Sequence, residues 1–502
     1  MHAPRFAATL SGVMLSLVVL GGPVHGWGAP TDARYANDTD GIFWFMHISD
    51  IHVGADGCWE PGEIHDPENF VFIMNDAVEV IKPVFVVATG DLVNGCRNHI
   101  PTSGQSEDEW NQYKSLYTSA LSAHPYPYYD VVGNHDEYAS RFPDECPSLH
   151  WYLDYSYRGS VEHAAHFGWT HTTSLGEYYF YAVNATGECV DAFTAGDGEV
   201  LESELQALRA ALEDHADANL VFVFAHQGPI DPEHLPTNGD ALFDEVAKHG
   251  AFYIHGHIHE YKEALINRST GYFVAAEVNS VGKASHDNIA VGVVDHDAFI
   301  YRATSTADPW PFVIVTAPVS TRLRNGNLNP WAYRVCKDKV NPVRALVFAP
   351  TQPSSVTVQV GSGAAVPMTQ VNGPLWKAEV DTSFVAEGEA DVTVTAVLSG
   401  GATRSETVRT TFVAGPCEVQ SDAGVLPSDG SAGDGNVASD SGVLADGSQN
   451  GDAGADGGIG EDPSDGCGCR AAGTAGLGWP LLIVGFVLFC GRYLRSRGAT
   501  KR

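Results

Sequence analysis

The sequence predicts an α/β layered domain followed by a small antiparallel β-sandwich, and three observations carry that expectation. First, apolar, β-branched and aromatic runs at Phe43–Ile48, Val84–Ala88, Tyr128–Val132, Leu220–Ala225 and Phe252–Ile254 read as buried strands, each closed by a polar cluster. Second, the segments between them, Pro67–Val80, Glu109–Ser122, Glu199–Leu212 and Ala241–Lys248, carry the apolar spacing of helices. Strands alternating with helices make a layered domain whose ligands collect where the strands end. Third, the texture changes beyond about Trp310. Val343–Phe348, Val356–Val360, Leu375–Val380, Ala390–Leu398 and Thr403–Val413 read as short strands separated by turns, with hardly any helix signal, which predicts a sandwich with an Ig-like strand pattern. The boundary is expected between Thr316 and Asn341, giving domains over 40–310 and 341–415.

The flanks do not read as folded. At 502 residues and 53.6 kDa the chain is too long for one ordinary core. Residues 1–29 have a basic start at Arg5, an apolar run from Ala7 to Leu20 and small residues thereafter, the layout of a secretory signal peptide. Residues 418–466 contain no Lys or Arg and almost no bulky apolar residue, so they predict a disordered acidic Gly/Asp/Ser linker. Residues 467–502 hold Cys467-Gly468-Cys469, an apolar stretch from Leu477 to Gly491 and a basic tail, a C-terminal membrane signal. Its length fits either a plain transmembrane anchor or a processed sorting signal.

Charge and cysteine usage narrow the class. The formal charge is -34, of which 31–417 carries -30, so the folded body repels phosphate backbones; with no basic stripe interleaved with aromatics, nucleic acid is not expected as a partner. Six cysteines in the body fit disulfides in an oxidising compartment. Six allow 15 pairings; sequence neighbours suggest Cys58 with Cys96, Cys146 with Cys189, and Cys336 with Cys417.

Each predicted strand of the first domain ends on a metal-ligating type of side chain. Asp50 and His52 stand two apart, which on extended backbone puts both on one side and within reach of one ion. The later strands end on Gly90-Asp91, Gly133-Asn134-His135-Asp136-Glu137, Ala225-His226-Gln227 and His255-Gly256-His257-Ile258-His259. Singly, Asp-x-His is often a cap and Gly-Asp followed by Asn94-Gly95 an ordinary turn. Gly-Asn-His-Asp and Gly-His-x-His are sharper, and the five blocks in this order point to one site. Carboxylates, imidazoles and an amide suit a pair of first-row metals better than calcium, which prefers oxygen alone. His255 reads as a packed or supporting histidine. Asp136 and Glu137 either polarise His135 or cap its loop. His124, His150, His163, His166 and His171 sit in loop-like sequence and read as solvated surface.

In these blocks the sequence resembles the calcineurin-like metallophosphoesterases over roughly Phe43 to Asp295, with D-x-H, G-D, G-N-H-[DE], a lone His after a strand and G-H-x-H all matched. The resemblance implies an α-β-β-α sandwich and two metal ions, manganese, iron or zinc. It places Asp50, His52, Asp91 and His259 on one ion, and Asp91, Asn134, His226 and His257 on the other. Asp91 would bridge, and His135 would contact the phosphoryl group and help the leaving oxygen depart. The order of this domain, then Asp295-His296-Asp297-Ala298-Phe299 and Trp310-Pro311, then a sandwich, is similar to the transmembrane protein 62 family. That family continues into several membrane spans, where this chain has an acidic linker and one short apolar segment. The C-terminus resembles the sorting signals of myxobacterial surface proteins.

The resulting expectation is an exported enzyme, tethered to the cell envelope or surface through its C-terminus and hydrolysing a small phosphomonoester or phosphodiester. Two cations about 3.5–4 Å apart neutralise an ester's oxygens and lower the pKa of a shared water. The rival reading is a non-catalytic surface binding protein with a structural metal site; a nuclease of the same family is opposed by the acidic body. The sandwich is expected to be passive, so that its removal spares turnover of small esters.

Overall fold

The computed structural model describes residues 41–414, except 55–66, 97–103, 140–148, 188–189, 192–197, 232–234, 284–287, 297, 321–322 and 324–333. The signal, linker and C-terminal segments lie outside the described residues, as do Cys58, Cys146, Cys189 and Cys417. Cys96 and Cys336 are disulfide-bonded. Among the described residues no helix is long and apolar enough to cross a membrane.

Two sheets form the first domain. One has the order Ala298–Ser305, Asn288–Asp295, Ile42–Ile48, Val86–Thr89, Tyr128–Val131, and the last three run parallel. The other has the order Lys262–Arg268, Gly271–Glu277, Phe252–His255, Val221–Phe224, Gly176–Ala182, Phe167–Thr173, with a parallel centre. The five expected strands are all present. Six more strands of these two sheets were not legible beforehand, among them Phe167–Thr173, which falls in sequence read as loop. His171 accordingly lies on a strand, with its ring 4.4 Å from that of Phe43, and His150 opens the helix His150–Tyr155.

Strand periodicity explains the layering. In Ile42–Ile48, Phe43 and Phe45 point between the sheets, into an aromatic core with Phe85, Trp169, Phe180, Phe222, Phe224 and Phe299, while Met46 and Ile48 point outward. The outward face meets Phe70, Ile73, Met74 and Ile81 of the helical segment 67–81, and Trp110, Tyr113 and Tyr117 of the helix Glu107–Ala123. That helix starts where a capping box can form. The Ser106 Oγ accepts from the Glu109 N–H, and the Glu109 carboxylate accepts from the Ser106 N–H (3.0 Å) and the Cys96 N–H (3.0 Å). The helices Glu202–Asp214 and Gly239–His249 cover the outer face of the second sheet with Leu205, Leu208, Leu242, Phe243 and Val246. The layers are therefore helix, sheet, sheet, helix.

The β-sandwich starts earlier than expected. Phe312–Ala317 pairs antiparallel with Val340–Phe348, so a four-stranded sheet runs Phe312–Ala317, Val340–Phe348, Leu375–Asp381, Thr369–Asn372, facing a five-stranded sheet that includes Pro353–Val360, Gly388–Leu398 and Thr403–Val413. The boundary set at 316–341 cut off this first strand, whose short run lies before the 318–339 stretch and shows no partner in sequence.

Nor is the sandwich an appendage. Val313, Val315, Ala345, Val347 and Trp376 face the five-stranded sheet. Phe312, Ile314, Leu346, Phe348 and Leu375, on the opposite face, share one apolar cluster with Ile289, Val291, Val293 and Ile300 of the first domain, and Trp44 packs edge-on to Phe348 at 5.6 Å. Phe312–Ala317 and most of Val340–Phe348 are buried on both faces and complete the outer cover of the first sheet, whereas the edge strand Thr369–Asn372 is exposed. The sandwich, expected to be passive toward turnover of small esters, packs as part of the same body, and its deletion would strip apolar cover from the sheet that carries Asp50 and Asp91. Polar ties reinforce the junction. Arg344, 2% exposed, donates through Nε and an Nη to both oxygens of buried Asp295 (3.0 and 3.1 Å), and Arg302 pairs with Glu406 of the strand Thr403–Val413.

Candidate metal centre

The five motif strands present their C-terminal ends together, and Asp50, His52, Asp91, His226, His257 and His259 converge there. The backbone departs from the sequence reading in one respect. Asp50 and His52 are not on extended chain: the strand stops at Ile48, and both adopt left-handed φ, 54° and 49°. Asp91 (50°), His257 (84°) and His259 (61°) do likewise, so five of the nine non-glycine residues with positive φ among the described residues belong to the site. Such conformations are unfavourable for L-residues and persist only where surrounding contacts impose them.

Those contacts are backbone stitches between strand ends. Asp50 N–H donates to Gly90 C=O (3.0 Å), His52 N–H to Asp91 C=O (2.8 Å), Gly256 N–H to His226 C=O (3.0 Å) and Gly282 N–H to Asp50 C=O (2.9 Å). Packing leaves no room for side chains at two motif glycines. A Cβ on Gly133 would lie 2.4 Å from the Asp91 Oδ1, and one on Gly256 would lie 1.8 Å from the Ser49 Oγ and 2.6 Å from the Asp50 Oδ2.

Each carboxylate divides its oxygens between backbone and site. Asp50 Oδ2 accepts from His257 N–H (3.1 Å), leaving Oδ1 at 3.0 Å from His259 Nε2 and 3.8 Å from His52 Nε2. Asp91 Oδ1 accepts from His135 N–H (2.9 Å), leaving Oδ2 at 3.2 Å from His226 Nε2 and 3.6 Å from His52 Nε2. Asp91 thus reaches both groups. The ligating atoms gather into Asp50, His52 and His259; His52, Asp91 and His135; and Asp91, His226 and His257, each set within 4.8 Å.

Three observations show that these residues fit metal ions. Imidazole nitrogens face each other at 3.4 Å (His52 Nε2 and His259 Nε2) and 3.2 Å (His226 Nε2 and His257 Nδ1), aiming electron pairs at shared points. Asn134 donates its amide N–H to the Tyr138 hydroxyl (2.8 Å), while its buried Oδ1 has no hydrogen-bond partner. The field is that of a cation site. Burial opposes charge on Asp50 and Asp91, yet the imidazoles of His259 and His226 hold the first well below the usual carboxylate range, and His226 and His135 hold the second down to about 2. Burial would lower His226, but Asp91 and Asp50 outweigh it and push that imidazole up to about 10. The two carboxylates that raise it would equally favour a metal cation.

Supporting contacts fix the rings. His226 Nδ1–H donates to Thr89 C=O (2.7 Å) and His135 Nδ1–H to Asn94 C=O (2.8 Å), so both present Nε2 to the site. His135 lies 3.8 Å from Asp91 Oδ2 and is 14% exposed, whereas His52 and His226 are fully enclosed. Burial lowers the pKa of His135, partly offset by Asp91. Asp136 caps the loop rather than polarising His135: its carboxylate accepts from Leu92, Val93 and Gly133 N–H at 2.8–3.0 Å. Glu137 accepts from the Asn184 amide (2.9 Å). His255 is packed, its ring against Gly228 and its Nδ1 on Gly256 C=O (3.0 Å), and is not in the ligand groups. Among the histidines read as solvated, His124 sits 2.7 Å from Glu79 and His166 3.0 Å from Glu204.

Sequence reasoning missed Tyr138, Thr89 and Glu277. Tyr138 directly follows the Gly-Asn-His-Asp-Glu block and could have been suspected. Thr89 acts through its carbonyl, which any residue would supply. Glu277 has no local signal, since its partner Ile258 lies 19 residues upstream.

Comparison with known proteins agrees with this geometry. Residues 43–261 match the calcineurin-like phosphoesterase family. The chain is 25% identical over 406 residues to Transmembrane protein 62 of Mus musculus, covering 80% of this chain and 60% of that protein. It is 25% identical over 244 residues to an Arabidopsis thaliana protein whose name provisionally describes it as a metallophosphoesterase, covering 45% and 30% of the two chains. The chain therefore spans less than two thirds of either curated relative. A purple acid phosphatase from yellow lupin (Lupinus luteus) seeds superposes with TM-score 0.35 and 15% identity over 53% of this chain and 52% of that one. Segment 43–261, which holds all of the converging ligands, is a calcineurin-like phosphoesterase domain.

Proposed function

We propose that the protein is an exported, surface-tethered hydrolase of small phosphomonoesters or phosphodiesters that works with two metal ions. The observation that carries this reading is the double reach of Asp91, whose free oxygen faces His52 on one side and His226 on the other. Asp50, His52, Asp91 and His259 would hold one ion, and Asp91, Asn134, His226 and His257 the other. When bound, such a pair neutralises phosphoryl oxygens and lowers the pKa of a water lying between the ions.

The chain's own residues supply the rest. The backbone donors on Asp50 Oδ2 and Asp91 Oδ1 fix each carboxylate before substrate arrives, so no reorganisation is needed. The Asn94 carbonyl orients His135 so that a proton on its Nε2 would be delivered to a departing oxygen. Completeness of the set, including His135, separates this reading from a retired site that only binds.

Export is supported by the signal-like residues 1–29 and by the disulfide bonding of Cys96 and Cys336, which suits an oxidising compartment. Tethering rests on the apolar segment and basic tail of 467–502. The purified protein should hydrolyse p-nitrophenyl phosphate or its bis ester with added manganese and lose that activity to a chelator. Undetectable turnover of both esters with manganese, iron and zinc would overturn the proposal. Replacing Cys467 and Cys469 by Ser separates a sorting signal, which predicts uncleaved precursor held in the membrane, from a plain anchor, which predicts no change.

A further inference from the structure

The loop His257-Ile258-His259 carries one expected ligand for each metal and is strained at both, with φ 84° and 61°. Neither strand pairing nor helix holds its centre, because the strand Phe252–His255 has ended. Asp50 Oδ2 takes the His257 N–H at one end (3.1 Å), and a second side chain takes the centre. Glu277, fully buried at the end of the strand Gly271–Glu277, accepts from Ile258 N–H at 3.0 Å. That donor lies between His257 and His259, so one carboxylate holds the residue that joins the two imidazoles.

The position of Glu277 is itself fixed. It is in register with His255 on one neighbouring strand and with Lys262 on the other. Its Oε1 takes the Ile258 N–H, and its Oε2 has no hydrogen-bond partner. A buried carboxyl carries a large desolvation cost and is retained where its acceptor geometry is needed.

We infer that Glu277 is a positioning residue that clamps the His257–His259 loop in its strained form and thereby couples the two metal sites. The inference rests on the two-metal reading above. If the clamp releases, both rings lose their aim together.

The test is metal binding by the full-length protein, read by calorimetric titration of manganese into metal-stripped samples. Glu277→Met removes the acceptor at nearly constant volume and should weaken both sites by about 10- to 100-fold, the range for losing a ligand-orienting contact. Glu277→Gln keeps one acceptor oxygen and should bind within about threefold of wild type. If Glu277→Met does not fold, the Gln variant decides alone: a loss of affinity as large as 10-fold at Gln would show that the charge, not the acceptor, matters, and would overturn the clamp. So would wild-type affinity at Met, or loss at one site only. Failure of wild-type protein to bind two manganese ions would instead overturn the two-metal reading, so the two failures are distinguishable.

Discussion

The strand ends that carry the ligands and the junction with the sandwich solve opposite problems on the same sheet. At the strand ends, Asp50, His52 and Asp91 sit in left-handed backbone, and carboxylates and imidazoles are buried at close range, arrangements that cost stability. At the junction, on the outer face of that sheet, Phe312, Leu346 and Phe348 bury apolar surface against Ile289, Val291 and Ile300. The difference teaches that the site's strain is tolerable because the sheet beneath it is covered on both faces, part of the outer face by helices and part by the sandwich domain.

The comparison can be broken first at the site. Asp91→Asn removes the charge shared by both ligand groups; metal analysis should find both ions lost, and kcat should fall by on the order of 10³-fold or more. His135→Ala should instead retain both metals while kcat falls by about 10²- to 10⁴-fold, the range for losing a proton donor. Loss of metal in that variant would show that the imidazole is a ligand.

At the junction the expected effects are on stability, not chemistry. Arg344→Ala leaves Asp295 buried without its guanidinium and should cost about 3–5 kcal/mol in denaturant unfolding, with the manganese affinity of the folded protein unchanged. Phe348→Leu trims the contact with Trp44 and should cost about 1 kcal/mol. If either variant lowered metal affinity in the folded state, the division between a strained site and a stabilising cover would be wrong.

The sequence disclosed the candidate ligand residues better than the scaffold around them. Asp50, His52, Asp91, Asn134, His226, His257 and His259 were legible because ligand chemistry restricts residue type and the strand-then-motif order is local. The backbone that presents them was not: two residues apart on extended chain was the wrong geometry for Asp50 and His52, since positive φ at a non-glycine residue is imposed by long-range stitches such as His52 N–H to Asp91 C=O. The strands Lys262–Arg268 and Asn288–Asp295 escaped notice for a related reason. Lys262–Arg268 is half-buried with mixed polarity, and Asn288–Asp295 is buried on both faces without alternation, so neither shows a clean period of two. The junction was invisible because one face of Val340–Phe348 reads the same whether it meets its own sandwich or another domain.

The account stands most directly on one titration, in which manganese is added to the metal-stripped protein while bound metal and p-nitrophenyl phosphate hydrolysis are followed in the same sample. The predicted result is two ions per chain, with turnover rising as the sites fill and vanishing in Asp91→Asn. Two ions bound without hydrolysis of this ester or its bis ester, or hydrolysis that persists in Asp91→Asn, would contradict it.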